Sequence, residues 1–473
     1  MARKTLLGNK IRRLRQARDL TQARMAEILG ISPSYLNLIE HDERPVTVSL
    51  LLKLGKSFDV DLADLSDDDD RKLASGLREV FADSTLDGGE VGGEEIKALA
   101  EAAPNAAKAI LELYRAYRLA REDAQSMTLG LGGGRTRKTV LPAEESRDFF
   151  HDRTNYFDEI ERAAEALVAG ANLPPGEPWR VMLDYARAKH GISVEIAPPE
   201  TLDGAVCRYD SKTRTLRLSE ILPRASRRFH MAYQIGLVEA RDAVDGIVRA
   251  AKLASPETET LVRVGLYNHF AGAVLMPYAP YLEAARALRY DIERLGQRFG
   301  ASFEQACHRL ATLQRPNDKA VPFWLVRVDV AGNVSKRISA AGFHFSRFGG
   351  SCPRWVVHEA FASPGRILTQ MSRLPDGATF FSIARTLTKP SPGFGEPAST
   401  LAIGIGCDIA RANELVYADG WDLASRVREI EIGVGCRLCE RENCRQRAYP
   451  PLQHRLDIDP SVKGASAFAF KKG

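Results

Sequence analysis

The chain has 473 residues, 27% of them charged and 44% hydrophobic, a balance that excludes a disordered, fibrous or collagen-like protein. At roughly 150 residues per domain the length suits about three domains. No apolar run approaches the ~18–20 residues of a membrane span. The opening MARKTLLGNKIRRLRQ has neither the apolar segment nor the cleavage site of a secretory signal, so a cytoplasmic protein is expected.

The net charge is +5, from 66 basic and 61 acidic residues. Residues 1–24 alone hold eight basic residues (Arg3, Lys4, Lys10, Arg12, Arg13, Arg15, Arg18, Arg24) against Asp19, a local 8 − 1 = +7. Leu7, Ile11 and Leu14 mark one helical stripe. Thr21 can cap a second helix bearing Met25, Ala26 and Leu29 on one face. Gly30 can end it by taking positive φ. Ser32-Pro33 can start a third, with Leu36 and Ile39 inward and Ser34, Tyr35 and Asn37 on the other face. Helix, tight turn and short helix make the helix-turn-helix geometry. LTQARMAEILGISPSYLNLIEHDERPVTVSLLLKLGKSF resembles the Cro/phage-repressor type over essentially the whole motif. The resemblance implies that Ser32–Glu40 is the recognition helix. Ser34, Tyr35 and Asn37 would then face base edges, Gln22 with basic residues such as Arg12 and Arg13 would face phosphates, and Ser32 at the helix start would also meet DNA.

An acidic run, Asp67–Asp70, closes this first domain. A helical stripe follows: Ile96, Leu99, Ala103, Ala106, Ile110, Leu113, Tyr117, Ala120, Ala124, Met127. Its alternating spacing of three and four matches a heptad seam, with Pro104 as a helix start and Gly130–Gly134 as a flexible joint. It reads as a dimerisation helix, or as a stripe packed against its own chain.

Residues 148–290 read as mixed α/β. Helices are expected at Phe149–Ala169 and Trp179–His190, strands at Ile192–Ile196, Gly204–Tyr209 and Thr215–Leu218, and a further helix after Pro223. RRFHMAYQIGLVEA followed by LYNHFAGAVLMPY resembles the ImmA/IrrE type of metallopeptidase domain. Where that family carries His-Glu-x-x-His, this chain has Tyr233, Gln234 and Leu237. Val264 and Leu266 stand where the third ligand would be. Tyrosine is a poor zinc ligand, leucine is none, and glutamine is no base. The expectation is a kept fold with lost hydrolysis, hence no enzyme, and a site free to hold a ligand. Tyr156, Arg208, Tyr209, Arg227, Arg228, Phe229, Tyr233 and Tyr267, with Lys212 and Arg214 nearby, combine basic groups for phosphates with aromatic walls.

FWLVRVDV and ATFFSIAR alternate as β-strands do. The seven cysteines are unevenly placed: Cys207, Cys307 and Cys352 are isolated, whereas Cys407, Cys436, Cys439 and Cys444 are crowded. Cys-x2-Cys-x4-Cys can bring three thiolates to one centre, with Cys407 able to supply a fourth. Four thiolates suit zinc or an iron–sulfur cluster. No His lies within the short loop, the nearest being His454. Arg437, Arg441, Arg445 and Arg447 would offset the thiolate charge.

With GGSCPRW (Gly349–Trp355), the PDG of Leu374–Ala378, VYADG (Val416–Gly420) and CRLCERENCRQRAYPPL, the whole chain resembles the short-chain fatty acyl transcriptional regulators. That resemblance implies a homodimeric transcription factor on double-stranded operator DNA, with a short acyl-CoA such as propionyl-CoA as effector. It also implies a 4Fe–4S cluster (zinc as alternative) on Cys407, Cys436, Cys439 and Cys444, with Cys352 competing for the fourth place. The expected fold is α+β and multidomain. It comprises an all-α helix-turn-helix domain over 1–67, a helical connector over 68–134, an α/β ImmA/IrrE-like acyl-CoA domain over 135–320, and an α+β domain with the Cys cluster over 321–473. Rival readings are a redox- or iron-responsive transcription factor without a CoA ligand, and a repressor-cleaving metalloprotease.

Overall fold

The structure is a computed structural model. It describes residues 8–58, 68–81, 91–128 and 142–470, except 19, 42, 45, 341–342, 344–350, 392, 397, 438, 452–455, 458, 460, 465, 467 and 469. The chain divides into two units, Met1–Tyr114 and Arg115–Gly473.

In the first unit, α1 (Gly8–Ala17), α2 (Gln22–Leu29), α3 (Pro33–Glu40) and α4 (Val48–Phe58) form the expected reader. The Thr21 hydroxyl accepts from the Arg24 N–H, and Gly30 takes φ +64 to stop α2. Ser32 accepts from the Tyr35 N–H, with Pro33 at the first helical position. Both caps satisfy amides that a helix start would otherwise leave unpaired. Ile11, Met25, Leu29, Leu36, Ile39 and Leu54 meet in one core. Leu7 and the Arg13 side chain lie outside the described residues.

The acidic run leads into a helix, α5 (Asp68–Phe81). Asp67 and the Gly130–Gly134 joint lie outside the described residues. The helical stripe runs through α6 (Gly93–Ala102) and, from Pro104, α7 (Pro104–Thr128), but it is not one continuous seam. Ile96, Ala100 and Ala107 pack with Ala74 and Leu77 of α5, and Tyr114 is buried. Leu113 is 72% exposed and Tyr117 38%, so part of the stripe is used within the chain and part stays at the surface.

The second unit opens with α8 (Pro142–Asp152) and α9 (Asp158–Gly170). The single helix expected over Phe149–Ala169 is broken because Thr154 and Asn155 take φ of 49 and 57, which no helix tolerates. Then come α10 (Trp179–His190), as anticipated, β1 (Ser193–Ala197), β2 (Cys207–Asp210) and β3 (Thr215–Ser219). These strands form a sheet of order β1-β3-β2, with β1 and β3 parallel and β2 antiparallel to β3. Six helices follow: α11 (Arg224–Glu239), α12 (Arg241–Ala251), α13 (Pro256–Leu275), α14 (Tyr278–Ala287), α15 (Ile292–Phe299) and α16 (Phe303–Thr312). A second sheet comprises β4 (Trp324–Asp329), β5 (Val334–Ser339), β6 (Leu368–Arg373), β7 (Thr379–Thr388), β8 (Thr400–Asp408) and β9 (Glu429–Glu431), in the order β5-β4-β8-β7-β6-β9. Its pairs are antiparallel except β6 with β9. A short helix, α17 (Val356–Glu359), precedes β6.

Strand alternation sorts this sheet into two faces. Phe381, Ile383, Ile403, Ile405 and Cys407 pack with Tyr281, Leu295 and Leu310 of the helical layer. Phe380, Ala384 and Ala402 pack with Trp324, Phe343, Cys352, Trp355 and Val357 on the other side. Gly404 and Gly406 make room there: a Cβ on Gly406 would stand 2.5 Å from the Trp324 ring.

The helical layer is tied by a buried charge cluster. Arg309 of α16 donates through both terminal nitrogens to Glu161 of α9, at 2.5 and 2.8 Å, and His269 of α13 contacts the same carboxylate at 2.8 Å. The third guanidinium nitrogen, Nε, donates to the Met276 carbonyl. Burial alone would raise the Glu161 pKa; Arg309 and His269 overcome it and hold the group well below the carboxylate range. This stabilisation is therefore present above the ordinary carboxylate pKa and lost only as pH falls far below it. Arg309→Met would leave Glu161 buried without its cation. The expected cost is about 3–5 kcal/mol, read by chemical denaturation at neutral pH.

Candidate DNA-reading face and cysteine cavity

On the reader, Arg15 donates to both oxygens of Glu40, Nε at 2.7 Å and Nη2 at 3.0 Å, and Glu40 is buried. Gln22 Nε2 donates to Glu40 Oε2 at 2.9 Å and to Asn37 Oδ1 at 3.0 Å. Arg12, Ser34 and Asn37 are exposed on this unit. Two residues expected to face DNA carry structural duties as well. The Ser32 hydroxyl is engaged as the α3 cap, and Tyr35 is half-buried against the core.

In the peptidase-like segment, Tyr233, Gln234 and Leu237 lie along α11, with Gln234 buried. Tyr233 meets Tyr267 edge-on, ring centroids 5.9 Å apart. Burial, then Tyr267 and Cys207, raise the Tyr233 pKa, and burial lowers that of His230. These are neutral groups against an apolar core, not a metal-binding set.

The eight residues expected to hold acyl-CoA do not converge. Tyr209, Phe229, Tyr233 and Tyr267 belong to the core around α11 and α13. Tyr156 packs against the other core, donating to Asp158 and accepting from Arg315. Arg208 pairs at the surface with Asp203, and Arg227 donates to the Glu220 carbonyl. Arg228 is buried and committed to the Gly176 and Gly300 carbonyls and to Glu177, which makes it a structural clamp. Sequence reasoning missed the buried charges Glu161, His269 and Arg309. Their helices read as amphipathic, and no local pattern links residues 148 positions apart.

The cysteines are rearranged relative to expectation. Cys352, Cys436, Cys439 and Cys444 line one cavity with Gly433, Gly435, Arg441 and Arg447. Cys407 is not there. Its parity on β8 turns it onto the helix-covered face, where burial, then Asp408 and Glu414, push its thiol up to about 12. At the cavity, backbone N–H groups of Gly433 and Arg354 bond Cys352, that of Arg441 bonds Cys439, and that of Ala448 bonds Cys436 at 3.5 Å. Burial raises the Cys352 and Cys439 thiols, and the backbone donors at these two oppose it. Arg447, also buried, ties the loop by donating to the carbonyls of Cys436, Cys439, Arg441 and Tyr449. Among the described residues, no three His, Cys, Asp or Glu side chains are already drawn into a metal-holding arrangement. The donor set nevertheless fits a tetrathiolate group: four sulfurs on one cavity, backbone donors, two guanidiniums and two glycines. His454 lies outside the described residues.

Family profiles match three stretches: "Helix-turn-helix" at residues 11–65, "IrrE N-terminal-like domain" at 187–311, and "Short-chain fatty acyl coenzyme A regulator, C-terminal" at 312–468. The chain is 41% identical to the HTH-type transcriptional regulator RamB of Mycobacterium tuberculosis over 99% of both chains. It is 41% identical to the HTH-type transcriptional regulator PrpR of that organism, over 97% of this chain and 94% of the relative. It is 40% identical to the propionyl-CoA carboxylase regulator of Cereibacter sphaeroides over 98% of both. A solved Mycobacterium tuberculosis transcriptional regulator superposes with a TM-score of 0.66 at 44% identity, covering 69% of this chain and 98% of that one.

Gly433 sits against Cys439: a Cβ there would lie 2.8 Å from its Sγ and 2.9 Å from its Cβ. Gly433→Ala should therefore displace Cys439, at a cost of about 1–3 kcal/mol. Cys439 should become the faster thiol to alkylate in the reduced protein, as read by mass spectrometry.

Proposed function

This chain belongs to the short-chain fatty acyl coenzyme A regulators, and we propose that its effector is a short-chain acyl-CoA, propionyl-CoA foremost. Its targets are then genes of propionyl-CoA and short-chain fatty acid metabolism. That it is a helix-turn-helix transcriptional regulator follows from relatives matched over nearly its whole length. The observation that carries the effector reading is the similarity, over 98% of both chains, to a relative named for propionyl-CoA carboxylase regulation. Replacement of the two zinc-ligand positions by Tyr233 and Leu237, and of the general base by Gln234, supports ligand binding over hydrolysis in the IrrE-like segment. Exposed Leu113 and Tyr117 on α7 suit pairing of two copies on two half-sites. Among the described residues no helix is long and apolar enough to cross a membrane.

The cysteine cavity is proposed to hold a 4Fe–4S cluster, with zinc as the alternative, on Cys352, Cys436, Cys439 and Cys444. Such a group would act there as a structural tie or a redox-sensitive element. Arg441 and Arg447 would balance its charge, and the backbone amides around Cys352 and Cys439 would orient the thiolates.

Two measurements test these readings. Anaerobically purified Cys352→Ser protein should lose iron, labile sulfide and charge-transfer absorbance, whereas Cys407→Ser should keep them. The reverse order would return Cys407 to the site, and zinc in place of iron would sink the cluster. Operator binding should shift on titration with acyl-CoAs of increasing chain length, by about 5–150-fold at a typical coupling. A flat response to all of them, with a response to oxidation alone, would favour the redox-sensor reading.

A further inference from the structure

We propose that Gln22 and Asn37 form one composite amide that reads adenine in the major groove, and that the Gln22 side chain does not serve the phosphate backbone. The proposal rests on the DNA-reading role of this unit and adds a base to it.

The argument is one of hydrogen-bond valence. Both Glu40 oxygens accept from Arg15, at 2.7 and 3.0 Å, so the carboxylate is fixed in place. A carboxylate only accepts. The Gln22 amide must therefore turn its nitrogen toward Glu40, because the flipped amide would set oxygen against oxygen. That settles an orientation which density alone rarely distinguishes. Gln22 Nε2 then donates one hydrogen to Glu40 Oε2 at 2.9 Å and the other to Asn37 Oδ1 at 3.0 Å. Both of its hydrogens are spent.

This chain of bonds also orients Asn37. Its oxygen faces Gln22, so its Nδ2 turns away as a donor. Among the described residues, Gln22 Oε1 and Asn37 Nδ2 have no partner, and Asn37 is exposed on α3. What the pair offers DNA is one acceptor, on Gln22, and one donor, on Asn37. Phosphate oxygens are acceptors, and Gln22 Oε1 has nothing to give them. In the major groove adenine shows an acceptor, N7, beside a donor, N6; guanine shows two acceptors, cytosine a donor, and thymine an acceptor and a methyl. Only adenine satisfies both free groups. A single Asn or Gln amide usually makes this pair of bonds; here each residue supplies half, and Glu40 sets which half.

The test is selection of bound duplexes from a randomised library by the full-length chain, followed by binding measurements on the enriched site. The wild type should select adenine at one position of each half-site. Asn37→Ala and Gln22→Ala should each lose about tenfold discrimination there, within the range for a bidentate base contact. Other positions should be unaffected, and the double variant should lose no more than either single one. Asn37→Asp, which turns the outward donor into an acceptor, should move the preference toward cytosine. Gln22→Ala weakening all sequences alike, with the adenine preference intact, would restore the phosphate role and overturn the proposal. No enriched sequence from the wild type would overturn the DNA-reading assignment itself, and the amide pair with it.

Discussion

Successive residues of a β-strand face opposite sides, and in the six-stranded sheet this constraint decides which chemistry meets which. On β8, Ile403, Ile405 and Cys407 go to the helical layer, while Ala402, Gly404 and Gly406 go to the side holding Trp324, Trp355 and Val357. The second side continues into Ile432 and the cysteine loop. Cys407 could reach that loop only by a one-residue slip of β8, which would expose its apolar set. Cys352, in the coil just before Trp355, packs on this second side.

A second device recurs in both units. Arg15 grips Glu40 through two nitrogens, and Arg309 grips Glu161 likewise. In each case the carboxylate keeps an acceptor site for a third residue: Gln22 in the reader, His269 in the helical layer. A buried pair of this kind adds little net stability over an apolar one, but its geometry is directional. The gripped carboxylate fixes the orientation of the residue that follows it in the network.

Legibility from the sequence tracks the range of the interaction. Thr21, Gly30, Ser32 and Pro33 were readable because a cap is completed within three or four residues. The break between α8 and α9 was not, since Thr154 and Asn155 take positive φ without a glycine to signal it. Cys-x2-Cys-x4-Cys announced three members of the cavity by spacing alone. The fourth, Cys352, comes from a distant coil, whereas spacing favoured the nearer Cys407, which sheet parity turns away. Long-range partners were equally illegible in the middle segment. Arg228 looks available in sequence, but its partners Gly176 and Gly300 lie 52 and 72 residues away.

The charge balance acquires its meaning from the buried arginines. Arg228 and Arg309 each face a carboxylate, Glu177 and Glu161. Arg447 is buried to the same degree, yet among the described residues its terminal nitrogens reach only carbonyls, and its Nε has no partner. A buried cation without an anion is costly. Glu431 lines the same cavity but is paired with Arg441 and Arg373; burial raises the Cys439 thiol, and Arg441 and Arg447 pull against it toward the charged form. Four thiolates crowded together would in turn repel one another unless a cation held them. The metal-containing group proposed for Cys352, Cys436, Cys439 and Cys444 would answer both demands. Neither the guanidinium nor the thiols alone would justify burying the other.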